Sequence, residues 1–112
     1  MEARPITVSE IKVNGKNLFR DWLTGLDKTL QVTVDKRLNQ LRRGNLGKHR
    51  NLAGGVTELK MIREGLRIYM GWDNKTAVLL ILGGGKGRKA DQNEDIKLAQ
   101  SIWTIFKASK MK

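Results

Sequence analysis

The sequence contains no cysteine, one proline, one histidine and one tyrosine in 112 residues. The lack of cysteine excludes a disulfide framework and a thiolate-bound metal site, and a single histidine excludes a histidine-rich metal site. No apolar run approaches the roughly 18 residues of a membrane-spanning helix, and no signal-peptide pattern opens the chain. We therefore expect a soluble protein of the cytoplasm that is not inserted in a membrane and uses neither metal nor cofactor.

Acidic residues are scarce compared with basic ones. Eleven Asp and Glu stand against 22 Lys and Arg, which gives a net charge of +11. A field of this sign attracts polyanions, namely nucleic acid, an acidic protein or an anionic membrane surface. The apolar fraction of 39% and the periodic patterns described below indicate one globular domain over residues 1–112.

The first 43 residues predict one strand followed by two helices. Residues 5–13 alternate in polarity, and Pro5 at their start indicates an edge strand. Residues 17–26 change to the helical period, with apolar side chains on one face. Asp27 can cap a second helix that runs to Arg43, where Gly44 is a natural stop.

The remaining residues predict three strands and a closing helix. The predicted elements are a loop at 44–55, strands at 56–62, 66–70 and 77–82, a glycine-rich basic loop at 83–90, and a helix at 91–110. Asp91 and Glu94 have the spacing of a capping box at the start of that helix. The strand at 77–82 is apolar at every position, which indicates a central strand covered on both sides.

Alternation in the first two of these strands separates two faces. The aliphatic side chains should meet the helices, and Glu58, Lys60, Arg67 and Tyr69 should project together from the opposite, open face. We expect this open face to be the working surface.

Two loops carry further cations that could contact phosphates. The loop at 44–55 holds Lys48, His49 and Arg50, and His49 could also act as a general base. The glycine-rich loop supplies Lys86, Arg88 and Lys89 but lacks the spacing of a nucleotide-binding P-loop. An incidental histidine and a plain linker are the alternative interpretations.

Several short motifs together resemble a known family. They are Phe19-x-x-Trp22-Leu23-x-x-Leu26, Arg37-Leu38 with Gly44-Asn45-x-Gly47, Gly55-Val56-x-Glu58-Leu59-Lys60, Arg67-Ile68-Tyr69, Leu79-Leu80 with Gly83-Gly84, Lys86, and Asp95-Ile96-x-x-Ala99. In this order they resemble the RelE/ParE superfamily of toxins from type II toxin–antitoxin systems, in particular its HigB-like branch of addiction-module killer proteins.

The resemblance implies an α+β fold with a curved antiparallel sheet, in the order strand-helix-helix-strand-strand-strand-helix, and helices packed on one face. It also implies a metal-independent endoribonuclease, an mRNA interferase, that cleaves mRNA on the ribosome through attack of a 2′-hydroxyl and arrests growth. The catalytic residues would be Arg67 as the phosphate clamp, with Lys86, Lys60 and Tyr69. The RNA-binding residues would be Lys48, His49, Arg50, Arg63, Arg88 and Lys89.

Two other functions remain open for such a chain. It could resemble ParE in inhibiting DNA gyrase without nuclease activity, or it could be an inactive basic relative that only binds nucleic acid. The toxin interpretations imply a cognate antitoxin, acidic and of the helix-turn-helix type, and a chain that is monomeric alone or hetero-oligomeric with that antitoxin.

Overall fold

A computed structural model describes residues 4–85 and 89–110 of the chain, with side chains from residue 91 onward in the second segment. The strands and helices found in these residues are β1 Thr7–Glu10, α1 Leu18–Thr24, α2 Lys28–Arg42, β2 His49–Asn51, β3 Val56–Met61, β4 Leu66–Asn74, β5 Ala77–Gly85 and α3 Lys89–Lys110. A short 3-10 turn at Ala53–Gly55 precedes β3. The α+β class and the predicted order of the helices and long strands are confirmed.

The five strands form one mixed sheet in the order β1-β5-β4-β3-β2. β1 runs parallel to β5, whereas the other neighbours are antiparallel. The prediction of an antiparallel sheet is therefore wrong at β1, although β1 does lie at an edge. Side chains alternate between the two faces in the same way in parallel and antiparallel strand pairs. The sequence pattern therefore carried no information on whether β1 runs parallel or antiparallel to its neighbour.

Several predicted boundaries differ from the structure. β1 is shorter than the predicted strand at 5–13, and β4 runs to Asn74, beyond its predicted end at 70. β2 lies inside the predicted loop at 44–55 and pairs with β3, but all three of its residues are exposed and give no alternation signal. β5 continues through three glycines and ends at Gly85. These glycines pair with Leu66, Arg67 and Ile68 of β4. α3 begins at Lys89, so Asp91 lies within its first turn and not at the cap.

Helices cover both faces of the sheet, which corrects the prediction of helices on one face. Side chains of α1 and α2 pack on one face, and the core there includes Phe19, Val34, Leu38, Leu59, Ile68 and Leu80. Ala99 and Trp103 of α3 pack on the other, against Val56, Tyr69, Ile81 and Leu82. The prediction that the strand at 77–82 is covered on both sides is confirmed, and the face expected to be open lies partly under α3.

Side-chain caps fix the start of each N-terminal helix. Asn17 accepts a hydrogen bond from the backbone N–H of Arg20 at 3.0 Å, and Asp27 accepts one from Leu30 at 2.9 Å. The predicted cap at Asp27 is confirmed. These bonds satisfy backbone donors that would otherwise lack partners at the helix starts. No helix in residues 4–85 or 89–110 is long and apolar enough to cross a membrane.

The packing of α3 on β4 can be tested at Gly71. A Cβ atom at this position would overlap the indole ring of Trp103, so replacement by alanine forces the helix or the ring to move. We expect Gly71→Ala to lower the free energy of unfolding by about 1–3 kcal/mol, the usual cost of overpacking a core. Urea denaturation of the purified protein measures this change.

The matched control is Gly25→Ala at the end of α1. Its φ is −81°, and a Cβ there would meet its nearest atom at an ordinary 3.5 Å. This variant should be as stable as the wild type or slightly more stable, because alanine restricts the unfolded chain. Equal stability of the Gly71 and Gly25 variants would contradict the described position of Trp103.

Candidate phosphate-binding cleft

A buried carboxylate lies at the centre of the candidate site. Glu58 of β3 has no exposed surface and lies on the face covered by α3. Its Oε2 accepts a hydrogen bond from the Tyr69 hydroxyl at 2.9 Å and another from Nε2 of Gln92 at 3.0 Å. Tyr69 is its cross-strand neighbour in β4, and Gln92 belongs to the start of α3. Burial of a carboxylate is unfavourable without such donors, so these two contacts hold it in place.

Two arginines approach the same carboxylate from neighbouring strands. Nη2 of Arg50 lies 3.3 Å from Oε1, and Nε of Arg67 lies 3.9 Å from Oε2. Oε1 nevertheless accepts no hydrogen bond within the described part of the chain. The Arg50 and Arg67 side chains are 46% and 27% exposed. A guanidinium carries five N–H donors, so within the described part of the chain each arginine keeps donors that a ligand can use.

The arginines line an open cleft of about 340 Å³ at one end of the sheet. Among the described residues, the third cation in its lining is Lys60, the cross-strand neighbour of Arg67. The described residues that line it are Arg50, Lys60, Met61, Ile62, Gly65, Leu66, Arg67 and Gln92. Three cations from three adjacent strands thus share a cleft that also has apolar side chains in its wall. Such a cleft suits a ligand that carries a negative charge next to an apolar group.

Burial changes the acid–base properties of two groups near the cleft. Burial raises the pKa of Tyr69 well above its ordinary value, and the hydrogen bond to Glu58 and the negative charge of Glu58 raise it further. Burial also raises the pKa of Asp95, assisted by Asp91 and opposed by Arg67. Tyr69 is therefore neutral at physiological pH and acts as a hydrogen-bond donor.

The structure brings together only part of the predicted site. Arg67, Lys60 and Arg50 meet in the cleft, and the predicted placement of Glu58, Lys60, Arg67 and Tyr69 on one face is correct. The prediction that Tyr69 projects from an open surface is wrong, because α3 covers it and leaves it with no exposed area. The catalytic roles assigned from the resemblance stay predictions.

The other predicted RNA-binding residues lie away from this cleft or outside the described residues. His49 faces the opposite side of β2, where its Nδ1 lies 2.8 Å from the carbonyl oxygen of Gly47. Lys48 and Arg63 are exposed but do not line the cleft. Lys86 and Arg88 lie outside the described residues, as does the side chain of Lys89.

Sequence reasoning placed Glu58 on the expected working face but gave it no role in the site, and it missed Gln92 altogether. An acidic residue within a buried strand was a usable signal for Glu58, since a lone buried carboxylate demands partners. Gln92 gave no signal, because its contact depends on how α3 packs over the sheet. Among the described residues, no group of three or more metal-ligating side chains is placed to hold a metal ion.

The buried state of Tyr69 can be tested by its ionisation. As the single tyrosine of the chain, it alone contributes tyrosinate absorbance. We expect no tyrosinate in the native protein at a pH about one unit above 10, whereas the urea-unfolded chain should titrate near 10. Because the folded pKa is raised, Tyr69 contributes stability below its unfolded pKa that is lost as pH rises through the folded pKa.

Glu58→Gln should lower the native pKa of Tyr69 towards its ordinary value, because it removes the negative charge beside the hydroxyl. Native titration near pH 10 in the wild type would place Tyr69 in solvent and contradict the described packing.

Comparison with known proteins finds a similar sequence of uncharacterized function. An uncharacterized protein of Haemophilus influenzae is 29% identical over 94 residues, which span 82% of this chain and 92% of that protein. No family model matches the chain. No solved structure matches it either. The chain is therefore similar to the Haemophilus influenzae protein over most of its length.

Proposed function

We propose that the protein is the toxin of a type II toxin–antitoxin module and cleaves ribosome-bound mRNA without a metal ion. The observation that carries the proposal is the convergence of Arg50, Lys60 and Arg67 on one cleft. The RelE/ParE-like order of the sequence motifs supports the same function.

The cleft has the chemistry needed to bind a phosphodiester. The planar forks of Arg50 and Arg67 match two phosphate oxygens, and Lys60 adds a compact charge beside them. The net charge of +11 would favour approach to RNA from a distance. Met61, Ile62 and Leu66 line the same cleft, and Ile62 is 69% exposed, so an apolar surface is available to a nucleobase.

The proposed reaction is a transesterification within the RNA. The 2′-oxygen forms a bond to the adjacent phosphorus while the bond from phosphorus to the 5′-oxygen breaks, leaving a 2′,3′-cyclic phosphate and a 5′-hydroxyl. The 2′-hydroxyl proton passes to solvent water, and the Lys60 ammonium gives a proton to the departing oxygen. Arg67 and Arg50 stabilise the negative charge that accumulates on the phosphate oxygens. Lys86, on the basis of the resemblance, would supply a further cation.

Inhibition of DNA gyrase without cleavage is the second candidate function. The burial of Tyr69 favours it, because this residue cannot transfer a proton to a ligand in the cleft. For either function, we propose a cytoplasmic setting and an acidic helix-turn-helix antitoxin that neutralises the cationic cleft.

The proposed function can be tested with Arg67→Ala. Induced expression of the wild type in a bacterium should arrest growth and create new 5′ ends within translated regions of mRNA. Arg67→Ala should reduce this cleavage by about 100-fold or more, the usual cost of removing a donor that stabilises transition-state charge. The 5′ ends are mapped within minutes of induction.

Arg43→Ala serves as the control, because it removes the same charge from an exposed position at the end of α2. This variant should cleave like the wild type. A folded Arg67→Ala protein that cleaves fully would contradict the assigned site. Growth arrest with intact mRNA would support gyrase inhibition instead.

A further inference from the structure

We propose that Glu58 is a positioning residue, which orients Arg50 and Arg67 so that their N–H donors face the phosphates of RNA in the cleft. The inference rests on the proposed function in one respect, namely that the ligand of the cleft is RNA. It adds a residue that the family resemblance did not place in the site, and it explains how two cations stay ordered beside each other before a ligand arrives.

The backbone register places Glu58 between its partners. Arg50 of β2 and Tyr69 of β4 are its two cross-strand neighbours, so the three residues form one row across the sheet. Arg67 lies two residues before Tyr69 on the same face of β4. Because alternate residues of a strand share a face, the position of each arginine relative to the carboxylate is set by the sheet itself.

The carboxylate divides its interactions between two kinds of partner. Neutral donors, the hydroxyl of Tyr69 and the amide of Gln92, make its hydrogen bonds from within the protein. The two arginines approach at 3.3 and 3.9 Å, and Oε1 accepts no hydrogen bond from the described residues. Attraction between the buried carboxylate and these partly exposed guanidiniums restrains them and leaves donors available to a ligand.

The contacts of Glu58 with Tyr69 and Gln92 do not by themselves require an ionisable residue at this position. A carboxylate with no exposed surface carries a desolvation cost that a glutamine of nearly the same shape avoids. Glutamine could still interact with Tyr69 and Gln92, but it offers no charge to either arginine. The negative charge therefore matters for the arginines, which are the cationic partners of Glu58 that line the cleft.

The test measures binding apart from cleavage, with a fluorescent 2′-O-methyl RNA oligonucleotide that has no free 2′-hydroxyl to attack. The anisotropy titrations are made in about 0.5 M salt, which screens the long-range attraction between the basic protein and the RNA. Without this screening, the loss of a negative charge in Glu58→Gln would by itself strengthen binding. We expect Glu58→Gln to bind about tenfold more weakly than the wild type, because two side chains must then be ordered at the moment of binding.

A double-mutant cycle separates positioning from general damage to the fold. In a chain that already carries Arg50→Ala and Arg67→Ala, Glu58→Gln should change the remaining RNA affinity by less than about twofold, because its partners are absent. Glu94→Gln is the matched control, since it removes one negative charge from an exposed position of α3, and it should bind like the wild type.

Tyr69→Phe gives a second, independent variant should Glu58→Gln fail to fold. It removes one hydroxyl from a residue that is wholly buried and so cannot touch the RNA. It releases one of the two hydrogen bonds that hold Glu58. We expect it to weaken binding about threefold, with circular dichroism unchanged, because the carboxylate loses part of its fixed position.

The outcomes distinguish this inference from the proposed function. Wild-type affinity in both folded Glu58→Gln and folded Tyr69→Phe would overturn the positioning role while leaving RNA binding intact. The same loss of affinity with and without the arginines would also overturn it, since Glu58 would then act through the fold alone. A wild type that binds no RNA would overturn the proposed function and, with it, this use of the cleft.

Discussion

The contacts of the buried Glu58 carboxylate are the constraint on which the candidate site depends. One carboxylate with no exposed surface contacts residues of β2, β4 and α3, and it draws two arginines to the same end of the sheet. Removal of one partner from such a group leaves a charge without compensation, so the contacts stabilise one another. The same contacts connect the packing of α3 to the shape of the cleft.

The packing of α3 on one face of the sheet forms one side of the cleft. Trp103 covers the middle of that face, where Gly71 provides room for its ring, and the first turns of the helix lie close to β5 because Gly84 has no side chain to meet Asp95. The part of the face under α3 becomes a second core around Tyr69, and at one end of the same face Arg50, Lys60 and Arg67 line the cleft. The position of this one helix thus determines which residues on this face of the sheet are buried in the core and which can contact a ligand.

Much of this arrangement was predictable from local sequence patterns, and the remainder depends on long-range packing. Alternation correctly placed Glu58, Lys60, Arg67 and Tyr69 on one face, because the period of a strand is a local property. It could not reveal that α3 covers Tyr69, since the apolar stripe of a helix does not specify which surface it will meet. β2 was missed because its three exposed residues carry no periodic signal, although it supplies Arg50 to the site.

The central claim is that RNA phosphates bind in the cleft organised by Glu58. NMR detection of the arginine Nε–H groups during titration with the uncleavable oligonucleotide tests this claim most directly. The account predicts that the resonances of Arg50 and Arg67 shift first and furthest, while that of Arg20, which is paired with Glu10, does not change. Shifts spread evenly over the basic surface, or largest at arginines remote from Glu58, would contradict it.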